Sequence, residues 1–221
     1  VLRRRQRQMC IRDSITPVVV DPETTKLILN TTFKYDSSAT TETNSSLVTL
    51  VTNTLTAYNT DILSQFDGIF RLSKVQRLID ETNSSLLSNI TTVTMANTIT
   101  PTLNSATSYT STFNNSFYAP YSGYNKEKGG VIASTGFKIK GDTTNTMFFD
   151  DDGSGNLRMY YLVAGARVYQ LINGSTTIGT VDYAKGTVKT VSLTITDIGN
   201  VDGASSTSIR ITAIPSSNDI V

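Results

Sequence analysis

KLILNTTFKY, residues 26–35, alternates side chain by side chain. Leu27, Leu29, Phe33 and Tyr35 fall on one side, while Lys26, Asn30, Thr32 and Lys34 lie mostly on the other. A period of two predicts a half-buried β-strand. Residues 36–44, rich in Asp, Ser and Thr, read as a polar loop. The period then changes. Leu47, Val51, Leu55, Tyr58, Ile62 and Phe66 recur every three or four residues, which predicts a helix with one apolar stripe. Its many threonines are poor helix formers, so packing has to hold it. Asp67-Gly68 is the expected stop. Ser73-Lys74-Val75-Gln76 has the spacing of a capping box that would open a second, shorter helix with Val75, Leu78 and Ile79 inward. Leu87–Ile99 returns to strand character with Val93, Met95 and Ile99 on one face, and Pro101 ends it. Strand, helix, helix and strand can close as a small α+β layer, with both helices on one face of a sheet.

From about Leu103 onward the chain reads as β-rich. Turn dipeptides recur at Gly129-Gly130, Gly141-Asp142, Asp152-Gly153, Asn173-Gly174, Lys185-Gly186 and Asp202-Gly203. Strand-like runs lie between them: Val131–Lys140, Met147–Asp150, Leu157–Val163, Arg167–Ile172, Thr177–Tyr183, Thr187–Ile195 and Ser208–Ile214. Short strands at regular spacing, without helical periodicity, predict an antiparallel, sandwich-like domain. Tyr118–Tyr124 reads as an ordered loop. The expected organisation is therefore α+β overall: residues 15–102 form the strand-helix-helix-strand unit and residues 103–221 the β-rich domain.

Residues 1–14, VLRRRQRQMCIRDS, stand apart from this organisation. They hold five arginines and one aspartate, and the composition breaks after Ser14. A basic arm for RNA or a membrane is one interpretation. The segment is also similar to a translated sequencing adapter, of the kind found at the ends of proteins translated from metagenomic contigs. It is therefore expected to be an artefact that takes no part in the fold. Without it, 14 basic residues face 17 acidic ones. That balance offers no basic face for nucleic acid. The only cysteine, Cys10, lies inside the segment, so neither a disulfide nor a thiolate metal site is expected. No apolar run approaches the roughly 20 residues of a membrane helix. Hydrophobic residues make up 38% of the chain, enough to bury a core, and Ser, Thr and Asn fill most polar positions. Such a composition suits β-rich extracellular or virion proteins, in which uncharged hydroxyls tile exposed strand faces.

Six stretches together resemble the baseplate wedge subunit family of T-even-type contractile-tailed phages. They are TPVVVDPETTKLILNTTFKYD, FDGIFRLSKVQRLIDETNSSLLSNIT, TPTLNSATSYTSTFNN, STGFKIKGDTTNTMFFDDDGSGNLRMYYL, GTVDYAKGTVKT and NVDGASSTSIRITAIPSSNDIV. The resemblance spans residues 15–221 and rests on the order and spacing of the stretches, none of which is a catalytic motif. The strand-helix-helix-strand unit also looks like the C-terminal part of the wider baseplate J-like family. The resemblance implies a structural protein of the virion tail baseplate, assembled in the host cytoplasm, that pairs with itself and with other wedge proteins to link wedges into the inner ring. It further implies no enzymatic activity, no cofactor, and no nucleic-acid or membrane partner. Family members are longer, so a helical N-terminal part and some C-terminal residues are expected to be missing from this chain.

The chemistry-bearing residues are few. With no histidine in the chain, Ser–His and Cys–His pairs and imidazole bases are excluded. Asp150, Asp152, Ser154 and Gly155 match positions 1, 3, 5 and 6 of an EF-hand-like calcium loop, but position 12 is Tyr161 where a bidentate Glu is needed. An acidic hairpin turn is the simpler expectation. A carboxylate pair for glycoside cleavage could be drawn from Asp150–Asp152 and Asp182, yet nothing places these residues in a cleft. No catalytic, cofactor or metal residue is therefore assigned. N-x-S/T sequons begin at Asn30, Asn44, Asn83, Asn89, Asn114 and Asn173, and the abundance of Asn, Ser and Thr accounts for them. The aromatic residues of the second half suit a sandwich core or a protein interface. They would also suit a carbohydrate platform, so the alternative reading is an adhesin or tail-fibre-like domain.

Overall fold

Residue alternation and hydrogen-bonded register agree from the first strand. The computed structural model describes residues 25–65, 68–124 and 130–220. Residues 1–14, with the arginine-rich segment and Cys10, fall outside that range, as do Phe66, Asp67 and Gly129. β1 (Lys26–Tyr35) runs antiparallel to β3 (Leu86–Ile99), with Leu27 opposite Met95 and Leu29 opposite Val93. These four side chains face the core, together with Phe33 and Tyr35. The opposite face carries Asn30, Thr32, Thr92 and Thr94, the uncharged surface that the composition suggested.

Two helices connect β1 to β3. α1 (Asn44–Tyr58) buries Leu47, Val51 and Tyr58 along the expected stripe, with Leu55 partly covered. Thr43 caps its N-terminus by accepting the Ser46 N–H at 3.2 Å. Thr49, Thr52, Thr56 and Thr60 each donate a hydroxyl proton to the carbonyl four residues back. Those bonds satisfy polar groups that a threonine-rich helix would otherwise leave to water, and they bend helices slightly. The helix then widens into a π-turn at Asn59–Leu63, so it ends before the expected Asp67-Gly68 stop.

α2 (Leu72–Glu81) buries Val75 and Ile79 against β3. The capping box expected at Ser73 and Gln76 does not form. Ser73 already lies inside the helix, and Arg71 occupies the cap position without a side-chain hydrogen bond. The physical reason lies at the other end of the chain. β2 (Phe70–Arg71) pairs with Asp219–Ile220, and the Leu72 N–H donates to the Asn218 carbonyl at 3.3 Å. A distant backbone segment thus satisfies a helix N-terminal donor.

The remaining strands are β4 (Ala106–Thr107), β5 (Thr110–Thr112), β6 (Ile132–Ser134), β7 (Phe137–Ile139), β8 (Asp142–Asp151), β9 (Asn156–Val163), β10 (Ala166–Tyr169), β11 (Thr177–Asp182), β12 (Thr187–Thr190), β13 (Leu193–Ile198), β14 (Ile209–Ala213) and β15 (Asp219–Ile220). A four-stranded sheet runs β1-β3-β14-β6, and a nine-stranded sheet runs β4-β13-β7-β8-β9-β11-β12-β5 with β10 against β9. Every pairing among the described residues is antiparallel. Among the described residues the molecule is mostly β, with two α-helices. The four-stranded sheet takes two strands from residues 15–102 and two from residues 103–221.

Two expected strands are broken by a change of partner. The run expected at Val131–Lys140 splits at Thr135-Gly136. There the chain leaves β14, where the Thr135 N–H donates to the Arg210 carbonyl at 2.9 Å, and joins the larger sheet as β7. The run expected at Thr187–Ile195 splits at Val191-Ser192, between the pairings of β12 with β11 and of β13 with β7. The first break carries the chain from the four-stranded sheet to the nine-stranded one and so closes a corner between sheets, whereas β12 and β13 stay within the nine-stranded sheet. The run expected at Arg167–Ile172 is strand only to Tyr169, and Ile172 turns back to bridge Ser175.

Candidate functional site

The acidic run sits in the β8–β9 hairpin, where sheet alternation sends its carboxylates in different directions. Asp150 and Arg158 are cross-strand partners, and Phe148 opposes Tyr160 on the same face. β10 brings Tyr169 opposite Tyr160. The Asp150 carboxylate, about 1% exposed, accepts from Arg158 Nε at 3.0 Å, Arg158 Nη2 at 3.2 Å, Arg167 Nη1 at 2.7 Å and the Tyr169 hydroxyl at 3.1 Å. Each guanidinium also lies over an aromatic ring, Arg158 over Tyr169 at 4.3 Å and Arg167 over Tyr160 at 4.4 Å. Burial raises the Asp150 carboxyl above its ordinary range, although the Arg158 and Arg167 charges pull the other way. The result is a face of Arg and Tyr that continues along β9 to exposed Leu162, opposite Arg167. Tyr, Phe and Arg with adjoining aliphatic surface make up the composition of protein–protein contact centres.

Asp151 points to the opposite face and into the core. Asp152 closes the turn. Its carboxylate accepts the Ser154 N–H at 2.8 Å, the Asn156 N–H at 3.1 Å and the Asn156 side-chain amide at 2.7 Å. Burial opposes ionisation of Asp152, but these donors outweigh it and lower its pKa. Gly153 adopts φ +74°, and a Cβ there would lie 2.1 Å from the Tyr124 carbonyl oxygen, so the turn requires glycine. The hairpin is built as an acidic turn whose carboxylates already hold protein partners. Asp150 and Asp152, at positions 1 and 3 of the calcium-loop pattern, serve separate networks.

Asp182 lies away from this network, on the β11–β12 hairpin. It accepts the Lys185 N–H at 3.0 Å and pairs with the Lys185 ammonium at 3.6 Å. It lines a shallow depression of about 630 Å³ with Tyr121, Ser154 and Tyr183. Of the carboxylates weighed for glycoside cleavage, Asp182 alone lines it, so the structure does not bring the pair together there. Among the described residues, no cluster of three or more His, Cys, Asp or Glu could hold a metal ion, and no helix is long and apolar enough to cross a membrane.

A second surface lies at β1. It is the outermost strand of the four-stranded sheet and pairs only with β3 among the described residues. Beneath it opens a groove of about 650 Å³, lined by Leu27, Leu29, Leu55, Tyr58, Phe70 and Ile220 among others. The strand was legible in the sequence. Its position at the edge was not, because position within a sheet depends on β14 more than 100 residues later.

Comparison with known proteins bears on this region. The family model described as "Baseplate structural protein gp6, C-terminal domain III" matches residues 26–98, from β1 through the helices and nearly to the end of β3. None of the curated proteins compared matches the chain. The match, over 73 of the 221 residues, likens this part of the chain to a domain of a phage baseplate structural protein.

Proposed function

We propose that the chain is a subunit of the baseplate wedge of a contractile-tailed phage, and that it acts by binding a second copy of itself and neighbouring wedge proteins to link wedges into the inner ring. The observation that carries this reading is the family match over residues 26–98, continued by the resemblance of the stretches between residues 100 and 221. Two surfaces suit the role: the edge of β1, unpaired among the described residues, with its apolar groove, and the Arg–Tyr face of β8, β9 and β10. The role is structural and non-enzymatic. Asp150, Asp151 and Asp152 are engaged by arginine, tyrosine and backbone donors, which leaves them shaping the fold. A ring subunit needs repeated interfaces that close by symmetry. Each stable one buries at least ~1,000 Å² around an apolar centre.

Analytical ultracentrifugation of the chain, alone and with the products of neighbouring tail genes, tests this. The expected result is reversible self-association together with complexes with at least one tail protein. A strict monomer that ignores those products and instead binds a glycan would replace the wedge reading with an adhesin.

A further inference from the structure

Most exposed sheet edges carry a device that blocks pairing with another chain: a short strand, an inward charge, a proline or a bulge. β1 has few of these. It is ten residues long, contains no proline, and carries charges only at Lys26 and Lys34. Its one irregularity falls between Lys34 and Tyr35. Among the described residues, Leu27–Phe33 is thus an uncharged, unbroken edge.

Resting on the self-association reading above, we infer that β1 pairs antiparallel with β1 of a second copy, about a twofold axis through Thr31. Symmetry and side-chain direction restrict the register. In a continuous sheet, residues that oppose one another must point to the same face, so the odd-numbered core-facing residues must meet odd-numbered ones. A twofold axis then passes through one residue. With the axis at Thr31, Leu29 opposes Phe33 and Leu27 opposes Tyr35 on the core face. On the outer face Asn30 opposes Thr32, Ile28 opposes Lys34, and Lys26 meets Asp36, one residue beyond the end of the strand. With the axis at Asn30, Lys26 opposes Lys34, a repulsive pair that occurs twice. With the axis at Thr32, Leu27 has no partner within the strand. Of the three registers, the one through Thr31 alone pairs all four core-facing apolar side chains with one another and avoids a like-charge pair.

The groove adds a second argument for the same occupant. Leu27 and Leu29 line it. The register through Thr31 places the partner's Phe33 and Tyr35 rings beside those two leucines. Pairing would join two four-stranded sheets into one of eight strands and cover four partly buried apolar side chains on each copy.

Charge reversal tests the register with substitutions at the strand's ends, where Lys26 is exposed and Asp36 half-buried. Lys26→Glu should weaken dimerisation in ultracentrifugation by about tenfold or more, because symmetry makes two like-charge pairs from one substitution. Asp36→Lys should do the same, and the double variant should recover most of the affinity. In a Cys10→Ser background, Thr31→Cys should form an intermolecular disulfide on oxidation, whereas Asn30→Cys should do so far more slowly. Efficient cross-linking through Asn30→Cys would overturn this register. Self-association that neither charge reversal changes would overturn the interface while leaving self-association itself in place. A chain that stays monomeric at every concentration would overturn the interface outright, and complexes with other tail proteins would then judge the wedge reading separately.

Discussion

The buried Asp151 carboxylate accepts a hydrogen bond from the Tyr183 hydroxyl at 2.5 Å. Its other oxygen accepts the Ile132 N–H at 2.8 Å. Ile132 belongs to the four-stranded sheet, Asp151 to the nine-stranded one, and Tyr183 follows the end of β11. One carboxylate therefore fastens three separate parts of the chain. Gly130 lets the chain pass, since a Cβ there would lie 2.2 Å from an Asp151 oxygen.

Removing this fastening should cost more than any surface change. Asp151→Ala orphans a buried N–H and a tyrosine hydroxyl, and should cost about 3 kcal/mol or more. Tyr183→Phe removes one hydrogen bond to the carboxylate and should cost about 1.5–3 kcal/mol. Urea unfolding of both variants checks the order. Asp151→Ala at or below the cost of Tyr183→Phe would mean that the carboxylate does not join the sheets.

Alkaline pH should reach the same bond. Burial, followed by the Asp151 hydrogen bond and charge, raises the Tyr183 hydroxyl above its ordinary pKa of 10.0. The folded state therefore holds this proton more tightly than the unfolded state. The stabilisation is fully present below the unfolded pKa, and is lost as pH climbs past it toward the higher folded value. The stability gap between the wild-type protein and Tyr183→Phe should hold constant to about pH 9 and narrow above about pH 10. A gap that stays constant to higher pH would break the assignment.

The sequence revealed local periodicity and concealed long-range partners. β1, β3, both helices and most hairpin turns follow from patterns a few residues wide. The break at Thr135-Gly136, the pairing of β2 with β15 and the failed capping box at Ser73 each depend on a segment far away in the chain. Asp151 is the sharpest case. In sequence it is the middle of an acidic turn, and nothing near it announces Ile132 or Tyr183. Its neighbours Asp150 and Asp152 read as one ligand set because the sequence does not show that β8 ends between them, leaving Asp150 in the strand opposite Arg158 and Asp152 in the turn.

The stripe on α1 predicts a graded response. Leu47 is fully buried, Leu55 borders the groove, and Thr56 faces solvent. Leu47→Asp should unfold the protein or cost more than about 4 kcal/mol. Leu55→Asp should cost less, because its charge can reach the groove's water. Thr56→Asp should stay within about 0.5 kcal/mol, the usual range for an exposed site. Thermal melts that rank Leu55→Asp above Leu47→Asp would mean that the groove is closed.

Calcium should leave the hairpin unchanged. Asp150 and Asp152 already have protein donors, and Tyr161 stands where a bidentate carboxylate would be needed. Titration into chelator-treated protein should give neither binding heat nor a rise in melting temperature. Micromolar binding that Asp152→Ala abolishes would reverse this view.

The Asp150 cluster separates the worth of a pair from the cost of breaking it. Its carboxylate side chain is 2% exposed, and that of Arg158 is 10% exposed, so neither charge can turn to water if the other is removed. Arg167 is 33% exposed and can. Asp150→Ala removes the carboxylate that offsets the buried Arg158 charge, while the Arg158 hydrogen bond to the Asp151 carbonyl remains, and should cost about 3–5 kcal/mol. Arg167→Ala should cost only about 1 kcal/mol, since Arg158 still holds the carboxylate. Burial alone raises the Asp150 carboxyl despite both arginines, so desolvation consumes much of the attraction. Replacing the inner pair together, as Asp150→Leu with Arg158→Met, should therefore recover most of the loss seen with Asp150→Ala. Denaturant unfolding of the three variants supplies the comparison. A double variant as unstable as Asp150→Ala would show that the ion pair itself, and not the avoidance of a lone buried charge, stabilises this face of the sheet.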